Sequence, residues 1–171
     1  MEIYLDYIIE NMTSGLIVID LTGKITVFNR AAEEISKFKR ELVIGRSYSE
    51  IFREDAESRN SLLYTLKYNN PVLNAESVIV SLNGEMIPIR FSTSLVKDNN
   101  GLLLGAMKIF HDLTEIKKLE DEIQQTRTLA ALGEMAASIA HEIRNPLGGI
   151  GGGPEPVRGG LLCGYRQTVH T

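Results

Sequence analysis

Cysteine is almost missing from this chain: Cys163 stands alone. No intrachain disulfide and no cysteine-based zinc cluster can form, and a reducing compartment suits it. Long apolar runs are missing as well. No uncharged stretch approaches the ~18 residues that cross a bilayer, and Met1-Glu2-Ile3-Tyr4-Leu5-Asp6 puts acids where a signal peptide needs a basic start. No membrane span and a cytoplasmic location are therefore expected. Positive charge is not in excess, and the net charge of -4 argues against a nucleic-acid partner, although a local basic patch can hide in an acidic total. No P-loop pattern occurs anywhere. What is present is ordinary for a globular chain: 43% hydrophobic and 23% charged residues in 171, enough for one domain of about 100 to 150 residues plus an extension.

Ile3, Tyr4, Tyr7, Ile8 and Met12 recur at three-to-four spacing, which predicts a short amphipathic helix. Leu5 and Ile9 make its other side apolar too, so it either packs on both its own domain and a second subunit or is simply buried in its own core. Gly15 to Asp20, a turn ending at Gly23, and Ile25 to Asn29 read as an antiparallel hairpin. Between Arg30 and Asn70 the pattern is helical, closed by Asn70-Pro71 because the residue before proline is pushed out of helical geometry. Strands return at Val78–Val80, Met86–Val96 and Leu102–Phe110. They are separated by Asn83-Gly84 and Asn100-Gly101, read as two-residue turns with positive φ at both positions. Two strands, several short helices and a three-stranded meander give an α+β fold, a five-stranded antiparallel sheet with helices on one face.

Gly15–Asp20, Gly23, Ile25, Asn29-Arg30-Ala31-Ala32 and the closing Asp112-Leu113-Thr114 resemble a PAS domain in order and spacing. The resemblance implies a cupped sheet with a small internal cavity for a ligand, a cofactor or a protein contact. It also implies residues 1–111 as the sensor and Asp112 and Thr114 as the point where its movements enter a helix. Haem is argued against because the helix around Ser58–Tyr68 holds no histidine. A cysteinyl-flavin adduct is argued against because Cys163 lies outside the domain; non-covalent flavin stays open, and so does a domain with no ligand. His111, at the end of the last strand, has no second histidine in the domain and is read as a partly exposed strand-end residue rather than a metal ligand.

Asp112 reads as a helix N-cap with Glu115 completing a variant capping box. Ile116, Leu119, Ile123 and Thr126 form a coiled-coil seam. A second seam, Leu129, Leu132, Ala136, Ile139 and Ile143, is out of register with it by one residue. The pairs Lys117/Asp121 and Lys118/Glu122 are expected to support the outside of residues 112–128. So thin an apolar stripe needs a partner helix, and a parallel homodimer is the simplest supply.

The run Ala130 to Leu147, and above all His141-Glu142-Ile143-Arg144-Asn145-Pro146-Leu147, resembles the phosphoacceptor helix of sensor histidine kinases. With Ile139 and Ile143 turned into a bundle, His141 faces outward. A neutral imidazole is a competent nucleophile near pH 7. The resemblance assigns His141 as phosphoacceptor, Glu142 as general base and Asn145, one turn on, as the residue that positions water for phosphatase action. Arg144 is read as solvated, and Pro146 is expected to bend the helix. A zinc protease is excluded, since its second histidine would fall at Asn145.

The family's returning helix and ATP-binding domain do not follow residues 129–150. Residues 151–171 begin Gly151-Gly152-Gly153-Pro154, too rich in glycine and proline for a helix. This tail is expected to be disordered or non-native, from a truncation, a scar or a frameshift, and is set aside from the fold. The expected protein is thus a two-component sensor with an acceptor site and no ATP site of its own. ATP and Mg would bind a separate catalytic domain, and a response regulator would receive the phosphoryl group. The alternatives are a non-catalytic sensing and dimerisation module with a vestigial acceptor helix, or a ligand-binding protein whose helix is a dimer handle.

Overall fold

The computed structural model describes residues 2–149, so the tail from 151 lies outside the described residues. The chain forms α1 (Glu2–Glu10), β1 (Gly15–Asp20), β2 (Ile25–Phe28), α2 (Arg30–Ser36), α3 (Arg40–Val43), α4 (Tyr48–Phe52) and α5 (Leu62–Tyr68). It continues through β3 (Ala75–Val80), β4 (Met86–Lys97), β5 (Leu103–Asp112) and α6 (Thr114–Gly149). The five strands make one antiparallel sheet in the order β2-β1-β5-β4-β3. The first and last strands of the domain therefore meet at its centre. Strand alternation sorts the faces: Ile17, Phe28, Phe91 and Phe110 are buried beneath the short helices together with Tyr48, Phe52 and Leu62.

Two glycines permit the central pairing. A Cβ on Gly105 would lie 1.9 Å from the carbonyl oxygen of Ile19, and one on Gly15 would lie 2.4 Å from the Phe110 ring. At these places β1 and β5 approach so closely that only a hydrogen fits.

The hairpin loops differ from expectation. Asn83 and Asn100 do not take positive φ; Gly84 (φ 82) and Gly101 (φ 83) do. In each loop the glycine N–H donates three residues back, Gly84 to Ser81 and Gly101 to Asp98. The next pair closes the strand ends, Ser81 N to Glu85 O and Asp98 N to Leu102 O. These are three-residue loops, a turn followed by a left-handed glycine. Gly23 (φ 79) repeats the design between Asp20 and Lys24. The first residue of each supplies the reason: Asp20 and Asp98 accept two loop N–H groups and Ser81 accepts one, which favours the longer loop.

Asn29 knots the N-terminal part together. It is fully buried, accepts from Leu16 N and Ala32 N, and donates to the carbonyls of Ile9 and Ser14. It thereby caps α2 and ties α1 and β1 to it. Glu10 adds a bond from Arg30 N and an ion pair with Arg40. Tyr4, Leu5, Tyr7 and Ile8 of α1 stay exposed.

The described residues divide into two units, one up to Glu122 and one from Ile123. Among the described residues, no helix is long and apolar enough to cross a membrane.

Candidate functional site

Three places carry chemistry. The first is inside the sensor unit. Lys108 lies on the inner face of β5, beside Thr93 of β4 and Ile17 of β1, and is 1% exposed. Its ammonium donates to Tyr48 Oη at 3.2 Å and to the Asn60 carbonyl at 3.0 Å. It sits 4.5 Å from the centre of the Phe91 ring and 3.6 Å from Glu54 Oε1. Tyr48 in turn donates to Glu54 Oε2 at 2.9 Å. Burial pushes the Lys108 ammonium below the usual lysine range, with Glu54 pulling the other way. Burial first and the Glu54 charge second push the Tyr48 phenol well above 10.0. Thr65 and Thr93 share a hydrogen bond at 2.7 Å, and Thr93 also accepts from Val72 N. None of this cluster was singled out from the sequence. The available signal was alternation, since Ala106, Lys108 and Phe110 are two apart on one strand and so share a buried face.

The second place is the junction between β5 and α6. Asp112 ends β5, paired with Ile89, so it stands one residue before the cap position that the sequence assigned it. Leu113 takes that position, because its carbonyl accepts the first helical bond, from Lys117 N at 2.9 Å. Leu113 is buried and donates to the Pro88 carbonyl at 2.8 Å. Asp112 still serves the first turn, accepting from the N–H of Thr114 at 2.7 Å and from its hydroxyl. Lys117, expected to pair along the helix with Asp121, reaches across to Glu76 of β3 at 3.1 Å. Arg90 of β4 holds the other oxygen of Glu76 at 2.8 Å. The salt link wins because β3 and β4 present a carboxylate already oriented by Arg90. Arg90, with Lys117 second, holds the Glu76 carboxyl below 4.5. His111 is exposed, with the Ser14 hydroxyl 3.3 Å from Nδ1. Among the described residues no cluster suited to a metal ion occurs.

The third place is the far part of α6. His141, Glu142, Arg144 and Asn145 are all exposed on it. His141 and Asn145, four apart, share a face. His141 lies roughly opposite the line through Ile139 and Ile143, which are themselves 53% and 58% exposed in the single chain. The earlier seam residues Ile116, Leu119 and Ile123 are also exposed, so the apolar positions of both seams are uncovered as far as Ile143. Pro146 lies inside α6, which runs on to Gly149.

Known proteins resemble this chain in sequence and in fold. The signal transduction histidine-protein kinase AtoS of Escherichia coli is 37% identical over 149 residues, covering 86% of this chain and 24% of that protein. Sporulation kinase C of Bacillus subtilis is 27% identical over 156 residues, covering 85% of this chain and 36% of that protein. The chain thus spans about a quarter to a third of the length of these relatives. The PAS domain of a Colwellia psychrerythraea protein superposes with a TM-score of 0.56 at 18% identity, covering 67% of this chain and 98% of that one. Residues 4–113 match the family model described as the PAS fold, and the chain belongs to the PAS family.

Proposed function

We propose that the chain is the input and acceptor part of a two-component sensor histidine kinase, in which the PAS unit controls phosphorylation of His141. The observation that carries this reading is the motif His141-Glu142-Ile143-Arg144-Asn145, with His141 and Asn145 exposed on one side of a helix that starts at the sensor's last strand. The named kinases to which the chain is similar support it.

In the proposed step an imidazole nitrogen of His141 attacks the γ-phosphorus of ATP held by a catalytic domain. A nitrogen–phosphorus bond forms, the bond to the β-phosphate oxygen breaks, and ADP leaves with that electron pair. Glu142 takes the proton from the other ring nitrogen as positive charge develops. Asn145 orients water against the phosphorylated response regulator in a separate hydrolytic step, in which water forms the new bond to phosphorus, the bond to the regulator breaks and inorganic phosphate leaves. Phosphoryl transfer asks mainly for positioning and charge control, and a solvent-facing histidine leaves room for a mobile donor and then for a response regulator. The uncovered stripes of α6 and α1 fit a parallel homodimer, and the reaction belongs in the cytoplasm, where ATP is.

Incubation of the chain with radiolabelled ATP, Mg and a separately prepared histidine-kinase ATP-binding domain tests the reading. Acid-labile label is expected on the chain and is expected to vanish in His141→Gln. Equal label on the two, or none on either, would leave the chain as a sensing and dimerisation module.

A further inference from the structure

The sensor unit holds a buried charge that phosphoryl transfer does not use. We propose that Lys108 anchors a binding site for a short-chain monocarboxylate, and that the Glu54 carboxylate occupies this site as an internal stand-in.

The lysine is not there for stability alone. It stands on the inner face of a central strand between Ala106 and Phe110, where an apolar side chain of similar size avoids the desolvation of an ammonium. Replacing buried ion pairs by apolar groups is often neutral or stabilising. Nor is the lysine fully served. An ammonium has three donors; Tyr48 and Asn60 take two, and the carboxylate that remains stands at 3.6 Å. A charge-assisted bond is about 2.7–2.9 Å long.

The counter-ion is built to leave. Glu54 comes from residues 53–60, which form neither helix nor strand and contain no buried residue. The segment opens at Arg53 in the left-handed region (φ 54), and its Glu54 carboxylate is already 16% exposed. Turning Glu54 into water gives up the Tyr48 bond and the long ion pair but breaks no strand pairing.

The class of ligand follows from what Glu54 supplies. Its side chain is a carboxyethyl group, in effect a tethered propionate, with one oxygen on Tyr48 and the other toward Lys108. A free short-chain acid in the place of the Glu54 side chain reproduces both contacts and can close the lysine distance because no backbone restrains it. Lys108 is the only fully buried cation among the described residues, so one negative charge is matched and two are not. Lys108 is four residues before Asp112 on the strand that leads into α6. The inference therefore deepens the proposed function by naming the class of signal, and binding is measured without phosphoryl transfer, so the two can fail separately.

The experiment is calorimetric titration of the full chain with sodium propionate, against sodium chloride and the neutral isostere propionamide. The wild type, Glu54→Ala and Lys108→Met are compared. Saturable binding of propionate but not of propionamide is expected for the wild type. Removing the tethered competitor in Glu54→Ala is expected to tighten it by about tenfold or more, and Lys108→Met is expected to abolish it. If Lys108→Met does not fold, Tyr48→Phe serves instead, with binding weakened by about tenfold. No saturable binding to the wild type, equal binding of propionamide, no tightening in Glu54→Ala, or binding unchanged in Lys108→Met or its substitute overturns the proposal.

Discussion

Replacing Asn29 by alanine is expected to cost the sensor unit a large share of its stability, and the figure can be worked from its four hydrogen bonds. Asn29 is fully buried, and its bonds run 2.8 Å from Leu16 N, 3.0 Å from Ala32 N, 3.0 Å to Ile9 O and 2.9 Å to Ser14 O. A net contribution of about 1 kcal/mol for each gives about 4 kcal/mol, including the ~1 kcal/mol usual for a helix N-cap. Backbone groups left unpaired where water cannot reach push the loss higher. Domains of this size are stable by roughly 5–15 kcal/mol, so the variant sits near its threshold. Urea unfolding followed by tyrosine fluorescence measures it, because Tyr4, Tyr7, Tyr48, Tyr64 and Tyr68 all fall in the sensor unit. With a slope of about 1 kcal/mol per molar urea, the midpoint is expected to fall by about 3–4 M. Asn29→Asp keeps the acceptor but loses both donors and places a charge against two carbonyls, so it is expected to fall nearly as far. A loss under about 1 kcal/mol for Asn29→Ala would refute the reasoning.

Gly105→Ala is expected to destabilise by about 2–4 kcal/mol, since its methyl meets the Ile19 carbonyl oxygen at 1.9 Å and only strand separation relieves it; an unfolding midpoint equal to wild type would contradict this. Glu76 is expected to titrate below 4.5, with Arg90→Ala and Lys117→Ala each raising its midpoint, because both side chains hold its carboxylate. Its folded-state pKa is depressed, so the stability it lends is present above 4.5 and lost as pH falls through the folded value; carboxyl carbon NMR follows the titration, and a midpoint at or above 4.5 would count against the Glu76 link. Ile123→Lys, in the uncovered seam of α6, is expected to shift the chain toward monomer in sedimentation while leaving the sensor's near-ultraviolet spectrum unchanged. A dimer constant equal to wild type would remove the seam from the interface.

The reading of the hairpins shows where local signals stop. Asn83-Gly84 and Asn100-Gly101 correctly mark reversals, because glycine is needed at a left-handed position wherever such a loop is built. The loop length depends on Ser81 and Asp98, whose side chains reach forward to the N–H groups that close it. At the helix start the same thing happens. Asp112 does serve the first turn, but pairing with Ile89 keeps it in the sheet and moves the cap to Leu113. Lys117 was assigned a partner on its own helix, whereas sheet register supplied Glu76 from a residue 41 positions away.

Sequence alone determined the order of strands and helices, the glycine-marked reversals, the uncovered seam of α6 and the helical face on which His141, Glu142 and Asn145 stand. These follow from periodicity and backbone preference, which act over a few residues. Only the tertiary structure decided that β1 and β5 meet at the centre of the sheet through Gly15 and Gly105. It also decided that Glu76 ties the start of α6 to the strands, and that Lys108 is enclosed with Tyr48 and Glu54. Each of these depends on residues tens of positions apart being brought within a few ångströms, and that pairing is set by how the sheet closes rather than by any local pattern.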